Sequence, residues 1–261
     1  MFVGTRWQEI VRLVNERGSI TVKELASILG MSTSTIRNDL IKLESLELLD
    51  RKHGGAIARN SSTVELRTRQ KELYFTDEKK RIAQQALSLI APHSVIGLDT
   101  GTTTLALAEL ITDDTPLTII TNDFQIAASF EQDSKVETIL VGGNVRHGFY
   151  CTYGSKTVND INQYNIDIAF LGANGFSLEK GFMTPVVEMA QVKRSLIRRA
   201  KTTAVLSDSS KLNVTAMVSF ADFSEIDYLI TDNNLNPEVK RQIEARDSLS
   251  ATPLLYTFRA D

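Results

Sequence analysis

The sequence predicts an α/β protein in two unequal parts. A small N-terminal winged helix-turn-helix domain (1–58) is followed by a larger, mainly parallel α/β domain (77–261), with a linker at 59–76. Three observations carry this reading. The first sixty residues show three short amphipathic helix patterns and then two strand-like arms around Gly54-Gly55. From Asp77 onward, short apolar runs alternate with segments long enough to be crossover helices. The chain has 261 residues, more than one compact domain usually needs.

Composition narrows the class. A hydrophobic fraction of 42% and a charged fraction of 23% are ordinary for globular chains and exclude collagenous or largely disordered ones. No apolar run approaches the ~18 residues of a membrane helix, so no membrane partner is expected. The first residues lack a basic stretch followed by an apolar core, so no secretory signal is expected and the chain reads as cytoplasmic. A single cysteine, Cys151, leaves no intrachain disulfide and no multi-thiolate site. His93 and His147 lie in expected turns without metal-ligand spacing, so neither a metal nor another cofactor is expected. The net charge of −3 divides unevenly: residues 1–60 carry nine Lys/Arg against seven Asp/Glu, a balance of +2, and the remainder carries −5. A mildly basic head on an acidic body points to a polyanion partner for the head alone.

In the head, Ile10, Val11, Leu13 and Val14 place an apolar stripe between Thr5 and Arg17, and Gly18 ends that helix. Thr21 caps a second helix over 22–29, with Glu24 completing a capping box and Gly30 making the turn. Ser32 caps a third helix, in which Ile36, Leu40, Leu43 and Leu46 or Leu48 recur at helical spacing. Two helices joined by a short Gly-containing turn form the helix-turn-helix pattern, and 49–57 reads as the wing. The third helix offers Ser32, Thr33, Ser34, Thr35, Arg37, Asn38 and Lys42 on its exposed face. Arg37 and Asn38 have donor geometry for base edges, whereas Lys42 suits phosphate. Arg51, Lys52 and His53 at the wing tip would reach the backbone or minor groove. A helical interaction module with a solvated polar face is the alternative; the basic wing favours double-stranded DNA.

The run Ser32-Thr33-Ser34-Thr35-Ile36-Arg37-Asn38-Asp39-Leu40, followed by Arg51-Lys52-His53-Gly54-Gly55-Ala56, resembles the head of the DeoR family of bacterial sugar-operon regulators. Members commonly carry a second Arg where this chain has Asn38, a departure expected to alter which bases are read.

In the body, a helix at 78–90 leads to apolar runs at 95–98, 117–120, 138–141, 168–171, 203–206 and 228–230. Helices are expected at 102–111, 123–130, 155–164 and 188–200, and no internal repeat is present. After the first run comes Asp99-Thr100-Gly101-Thr102-Thr103-Thr104, a strand-to-helix turn. Unpaired amides at the helix start favour an anion there, although a hydroxyl-capped turn without a ligand has the same composition. Asn122, then Gly142, Gly143 and Arg146, then Asn174, then Asp208 and Lys211 follow the later runs. That is the edge at which parallel sheets bind ligands. Arg146 and Lys211 suit a phosphate, and Asp99, Asn122, Asn174 and Asp208 suit sugar hydroxyls. Glu188 and Lys193 rank below the 99–104 turn, since a carboxylate at a helix start needs no ligand to explain it.

These body motifs also resemble the DeoR effector domain, and head and body together extend the likeness over about 6–232. That resemblance implies a sensor for a phosphorylated sugar, a fold similar to ribose-5-phosphate isomerase, and a dimer or tetramer. The expected function is therefore a DNA-binding regulator, a repressor of a carbohydrate-utilisation operon. The alternative is an isomerase-like enzyme with a fused DNA-binding head. Such an enzyme needs a carboxylate base, and the matching positions hold Val192 or Lys193, with Asn174-Gly175 in place of an Asp-Glu pair. No catalytic residue is expected.

Overall fold

The computed structural model describes residues 3–45, 48–52, 54–57, 65–72, 74–112, 116–132, 135–247 and 255–257. The head comprises α1 (Val3–Arg17), β1 (Ser19–Thr21), α2 (Val22–Leu29), α3 (Thr33–Ser45), β2 (Asp50–Lys52) and β3 (Gly55–Ile57). Thr21 caps α2 reciprocally: its hydroxyl accepts from the Glu24 amide at 3.2 Å, and the Glu24 carboxylate accepts from the Thr21 amide at 2.8 Å. Gly30 closes α2 at φ 62°, where a side chain would be strained. Ile10, Val14, Leu25, Ile36, Leu40, Leu43 and Leu49 form the head core. Asp39, on the buried side of α3, accepts from Arg6 Nε at 2.6 Å and Trp7 Nε1 at 2.7 Å, and so locks α3 to α1. Strand β1, which sequence reading did not anticipate, pairs with β3 to give the wing a third strand. A Cβ at Gly55 would stand 2.3 Å from the Ile20 carbonyl, which is why this pairing needs glycine.

The body begins within the segment expected to be linker. Helices α4 (Thr68–Lys71) and α5 (Thr76–Leu87) precede β4 (Val95–Leu98), α6 (Thr102–Ala108), β5 (Leu117–Thr121), α7 (Phe124–Ser129) and β6 (Val136–Leu140). A hairpin of β7 (Asn144–Arg146) and β8 (Cys151–Tyr153) leads to α8 (Ser155–Ile161) and β9 (Ile166–Gly172). Next come β10 (Gly175–Ser177), β11 (Gly181–Thr184), α9 (Val187–Arg199), β12 (Ala200–Leu206), β13 (Val218–Ala221), β14 (Tyr228–Thr231), α10 (Pro237–Asp247) and β15 (Leu255–Thr257). The main sheet has the order β15-β14-β12-β9-β4-β5-β6, and every neighbouring pair is parallel. Each apolar run expected as a strand falls in it, with ends shifted by a few residues. The hairpin, the antiparallel β10-β11-β13 sheet and β15 were not foreseen.

Two cores sandwich the sheet. Ile82, Leu107 and Ile126 of α5, α6 and α7 pack on one face, while Ile161, Val192 and Leu196 of α8 and α9 pack on the other. Strands alternately serve both, which explains their unbroken apolar sequences. The strand order reverses between β4 and β9. Connections leaving their carboxyl ends diverge there and open a crevice.

Candidate functional site

A cavity of about 90 Å³ lies at that reversal point. Thr100, Gly101, Thr102 and Thr103 after β4, Gly172, Ala173 and Asn174 after β9, and Ser207, Asp208 and Lys211 after β12 line it. Arg146 from the hairpin and Lys193 from α9 complete the side that sequence reading anticipated. The opposite wall comes from the expected linker and the start of α5: Glu65, Leu66, Lys71, Tyr74, Phe75 and Lys79. Leu48 of the head also reaches this wall. Most of these residues were missed because their segment has no periodicity.

The wall is electrostatically organised. Glu65 bridges the two sides: its carboxylate pairs with Lys71, lies 2.7 Å from Arg146 Nη2, and accepts from Asn174 Nδ2 at 2.7 Å. Burial pushes this carboxyl upward, but the charges of Lys71 and Arg146 and the hydrogen bonds from Lys71 and Asn174 outweigh it. The result is about 2. Arg146 stacks over Phe149 at 3.8 Å from the ring centre, and Thr184 Oγ1 donates to Asn174 Oδ1 at 3.2 Å, turning the amide donor toward Glu65. Lys79 donates to the Tyr74 carbonyl at 2.6 Å and to that of Lys71, and burial pulls its ammonium down to about 8.

The floor is a second buried pair. Asp99, fully inaccessible, pairs with Lys193 and accepts from the Gly172 amide at 3.1 Å, and Lys193 also donates to the Gly172 carbonyl at 2.9 Å. Asp99 is therefore committed internally rather than offered to a ligand. The Thr100 hydroxyl donates to Asp123 at 2.6 Å, and that of Thr104 to the Gly101 carbonyl at 2.9 Å. Thr104 is buried off the wall, whereas Thr102 and Thr103 face the cavity at the first turn of α6.

Other expected residues stand outside the wall. Buried Asn122 donates to the Thr152 carbonyl at 2.8 Å and fastens β5 to the hairpin. The Gly142 carbonyl accepts from Thr157 at 2.8 Å; a Cβ on Gly143 would meet the same hydroxyl at 2.1 Å, so close packing explains Gly143. Glu188 is exposed on the first turn of α9, and the neighbouring Met189 is the one that lines the cavity.

On the head, Ser32, Thr33, Ser34, Arg37, Asn38 and Lys42 are exposed along one side of α3, and Thr35 is half-buried. Ser32 caps the helix, accepting from the Thr35 amide at 3.1 Å. Arg51 and Lys52 are exposed on β2, with Arg51 held 3.4 Å from Glu44; His53 lies outside the described residues. Ile41, 46% exposed and one turn beyond Arg37, adds an apolar contact to this face that polarity-based reading overlooked. Among the described residues, no helix is long and apolar enough to cross a membrane.

A DeoR-like helix-turn-helix family model matches residues 6–62, and the DeoR C-terminal sensor domain model matches 75–233. The chain is 33% identical to the HTH-type transcriptional regulator GlpR of Haloferax volcanii, over 94% of this chain and 96% of that protein. It is 32% identical to a putative aga operon transcriptional repressor of Escherichia coli O157:H7, over 88% of this chain and 86% of that protein. It is also 32% identical to the glycerol-3-phosphate regulon repressor of Haemophilus influenzae, over 87% and 88% respectively. A solved ribose 5-phosphate isomerase from Methanocaldococcus jannaschii superposes only loosely, with a TM-score of 0.39 at 21% identity over 52% of this chain and 54% of that one. With a matched reading head and a matched sensor body, the chain belongs to the DeoR family and is a DNA-binding transcriptional regulator.

Proposed function

We propose that this regulator represses a carbohydrate-utilisation operon and leaves its operator when a phosphorylated sugar enters the cavity between β4 and β9. One observation carries the reading: the lining holds five cations (Lys71, Lys79, Arg146, Lys193, Lys211) against three carboxylates (Glu65, Asp208 and, beneath, Asp99), a formal excess of two. A phosphoryl group brings roughly −1.5 to −2, so the charges match. Thr102, Thr103 and Asp208 supply hydrogen-bonding groups for sugar hydroxyls. That one relative is named for a glycerol-3-phosphate regulon is in keeping with this chemistry.

The role is sensing without catalysis. Aldose–ketose isomerisation needs a base with a pKa near the working pH. Of the cavity carboxylates, Glu65 sits at about 2, Asp99 is tied to Lys193, and Asp208 is buried and accepts from the Ser210 amide at 3.1 Å, while Val192 is buried in the core. Arg37, Asn38 and Lys42 read and grip the operator, with Arg51 and Lys52 on the flanking backbone. A single winged head presents little contact area, so the reading takes a homodimer or tetramer acting on paired half-sites in the cytoplasm.

The test is a thermal-shift panel of sugar phosphates and their unphosphorylated parents, coupled to anisotropy on a duplex selected by the protein. At a hundred times Kd, a native-state ligand adds about 2.7 kcal/mol. At least one phosphorylated sugar is expected to raise Tm and release the duplex, with Arg146→Met abolishing both effects. A response to the unphosphorylated parent of equal size, or none to any phosphate, would overturn the reading.

A further inference from the structure

We propose that Lys71, Arg146 and Asn174 form an anion subsite whose resting occupant is the chain's own Glu65 carboxylate, and that an effector's phosphoryl group binds by taking its place. This rests on the sensing role proposed above and deepens it. The three donors converge on one carboxylate as they would on one face of a phosphate. Two are braced independently of Glu65. Arg146 lies against the Phe149 ring, the Asn174 side-chain amide is oriented by Thr184, and the Asn174 backbone N–H donates to the Met183 carbonyl at 3.0 Å. The site therefore persists when the carboxylate leaves.

Size points the same way. With Glu65 in place the cavity holds about 90 Å³, well short of the ~300 Å³ at the lower end for small-molecule sites. Moving one carboxylate out enlarges the space and raises the cationic excess from two to three, so a doubly charged newcomer is accommodated with the lining still net positive by one. Glu65 is suited to this role because it is ionised throughout the physiological range, so the occupant is always an anion. It also stands eight positions after Ile57, the last residue of the wing strand β3, and the cavity it fills is bordered by Leu48 of the head. Whatever displaces Glu65 acts on a residue next to the reading head, so anion affinity and head placement are linked.

The experiment titrates inorganic phosphate at fixed ionic strength into the full chain, its Glu65→Gln variant and Arg146→Met in both backgrounds, following Tm and binding heat. Glu65→Gln keeps the shape and removes the competing charge. It is expected to bind phosphate at least tenfold more tightly than the parent and to gain more Tm from it, and Arg146→Met should abolish the gain. Glu65→Asp, whose shorter carboxylate reaches the donors less well, should fall between, and serves as the decisive variant if Glu65→Gln does not fold. Equal affinity in parent and Glu65→Gln, with loss in Arg146→Met, overturns the displacement but leaves the sensing role standing. Weaker binding in Glu65→Gln overturns it too, making Glu65 a ligand rather than an occupant. Phosphate binding in none of the proteins, with no sugar phosphate raising Tm, removes both proposals.

Discussion

Lys193→Met tests the floor of the sensor cavity. In the parent, Asp99 has no solvent access, and its carboxylate relies on the Lys193 ammonium and one backbone amide, Gly172 N at 3.1 Å; its Oδ1 has no hydrogen-bond partner among the described residues. Methionine fills the space of the lysine stem but removes the charge. A buried carboxylate stripped of its cation typically costs about 3–5 kcal/mol. For a body of this size that is roughly 10 °C in Tm. Asp99→Asn alone also destabilises, because it leaves the buried Lys193 without its counter-charge, held by the Gly172 carbonyl at 2.9 Å and the Phe220 ring 5.2 Å away. The double variant should recover part of the sum, with a coupling of about 2 kcal/mol or more. Urea unfolding followed by circular dichroism reports the body, while Trp7, the sole tryptophan, reports the head by fluorescence and should keep its transition. A loss below about 1 kcal/mol for Lys193→Met, or strict additivity in the double variant, would refute the idea that the pair sustains the floor.

Arg37→Ala should weaken operator binding by about 1–3 kcal/mol, the worth of a bidentate base contact, and non-specific DNA binding far less; equal loss on both duplexes would show that Arg37 only grips phosphate. The Glu65 carboxyl sits at about 2 in the folded chain against an ordinary value of 4.5. Because the folded value is depressed, its contribution, about 3 kcal/mol, is complete above pH 4.5 and drains away as pH falls toward 2. Acid unfolding of Glu65→Gln should therefore lack that component, and acid profiles of the same steepness in parent and variant would contradict the linkage.

The head was legible almost residue by residue. Its helices are local objects: the capping box at Thr21 and Glu24, the left-handed Gly30 and the Ser32 cap are all satisfied within a few positions along the chain. Strand β1 escaped notice because three residues carry no readable alternation and its partner lies over thirty positions away. In the body, the apolar runs announced a parallel sheet because strands covered on both faces must be apolar throughout. Polar residues after those runs marked the edge at which the cavity lies, but not which of them look inward. Asn174, Asp208 and Lys211 do so; Asn122 and Gly143 are spent on the β7–β8 hairpin, and Glu188 faces solvent.

Local patterning was thus enough to establish a winged reading head, a parallel α/β sensor and the sheet edge at which the cavity opens, since periodicity, caps and turns depend on neighbours in the chain. Folding in three dimensions decided which charges meet. Glu65 with Arg146 and Asn174, and Asp99 with Lys193, join residues 81, 109 and 94 positions apart, and nothing in local sequence specifies such pairings. Burial then gives those pairings their chemistry. The same Glu65 that reads as one charge in an unpatterned stretch becomes, once dry and surrounded by donors, a carboxylate held at about 2, well below its ordinary value.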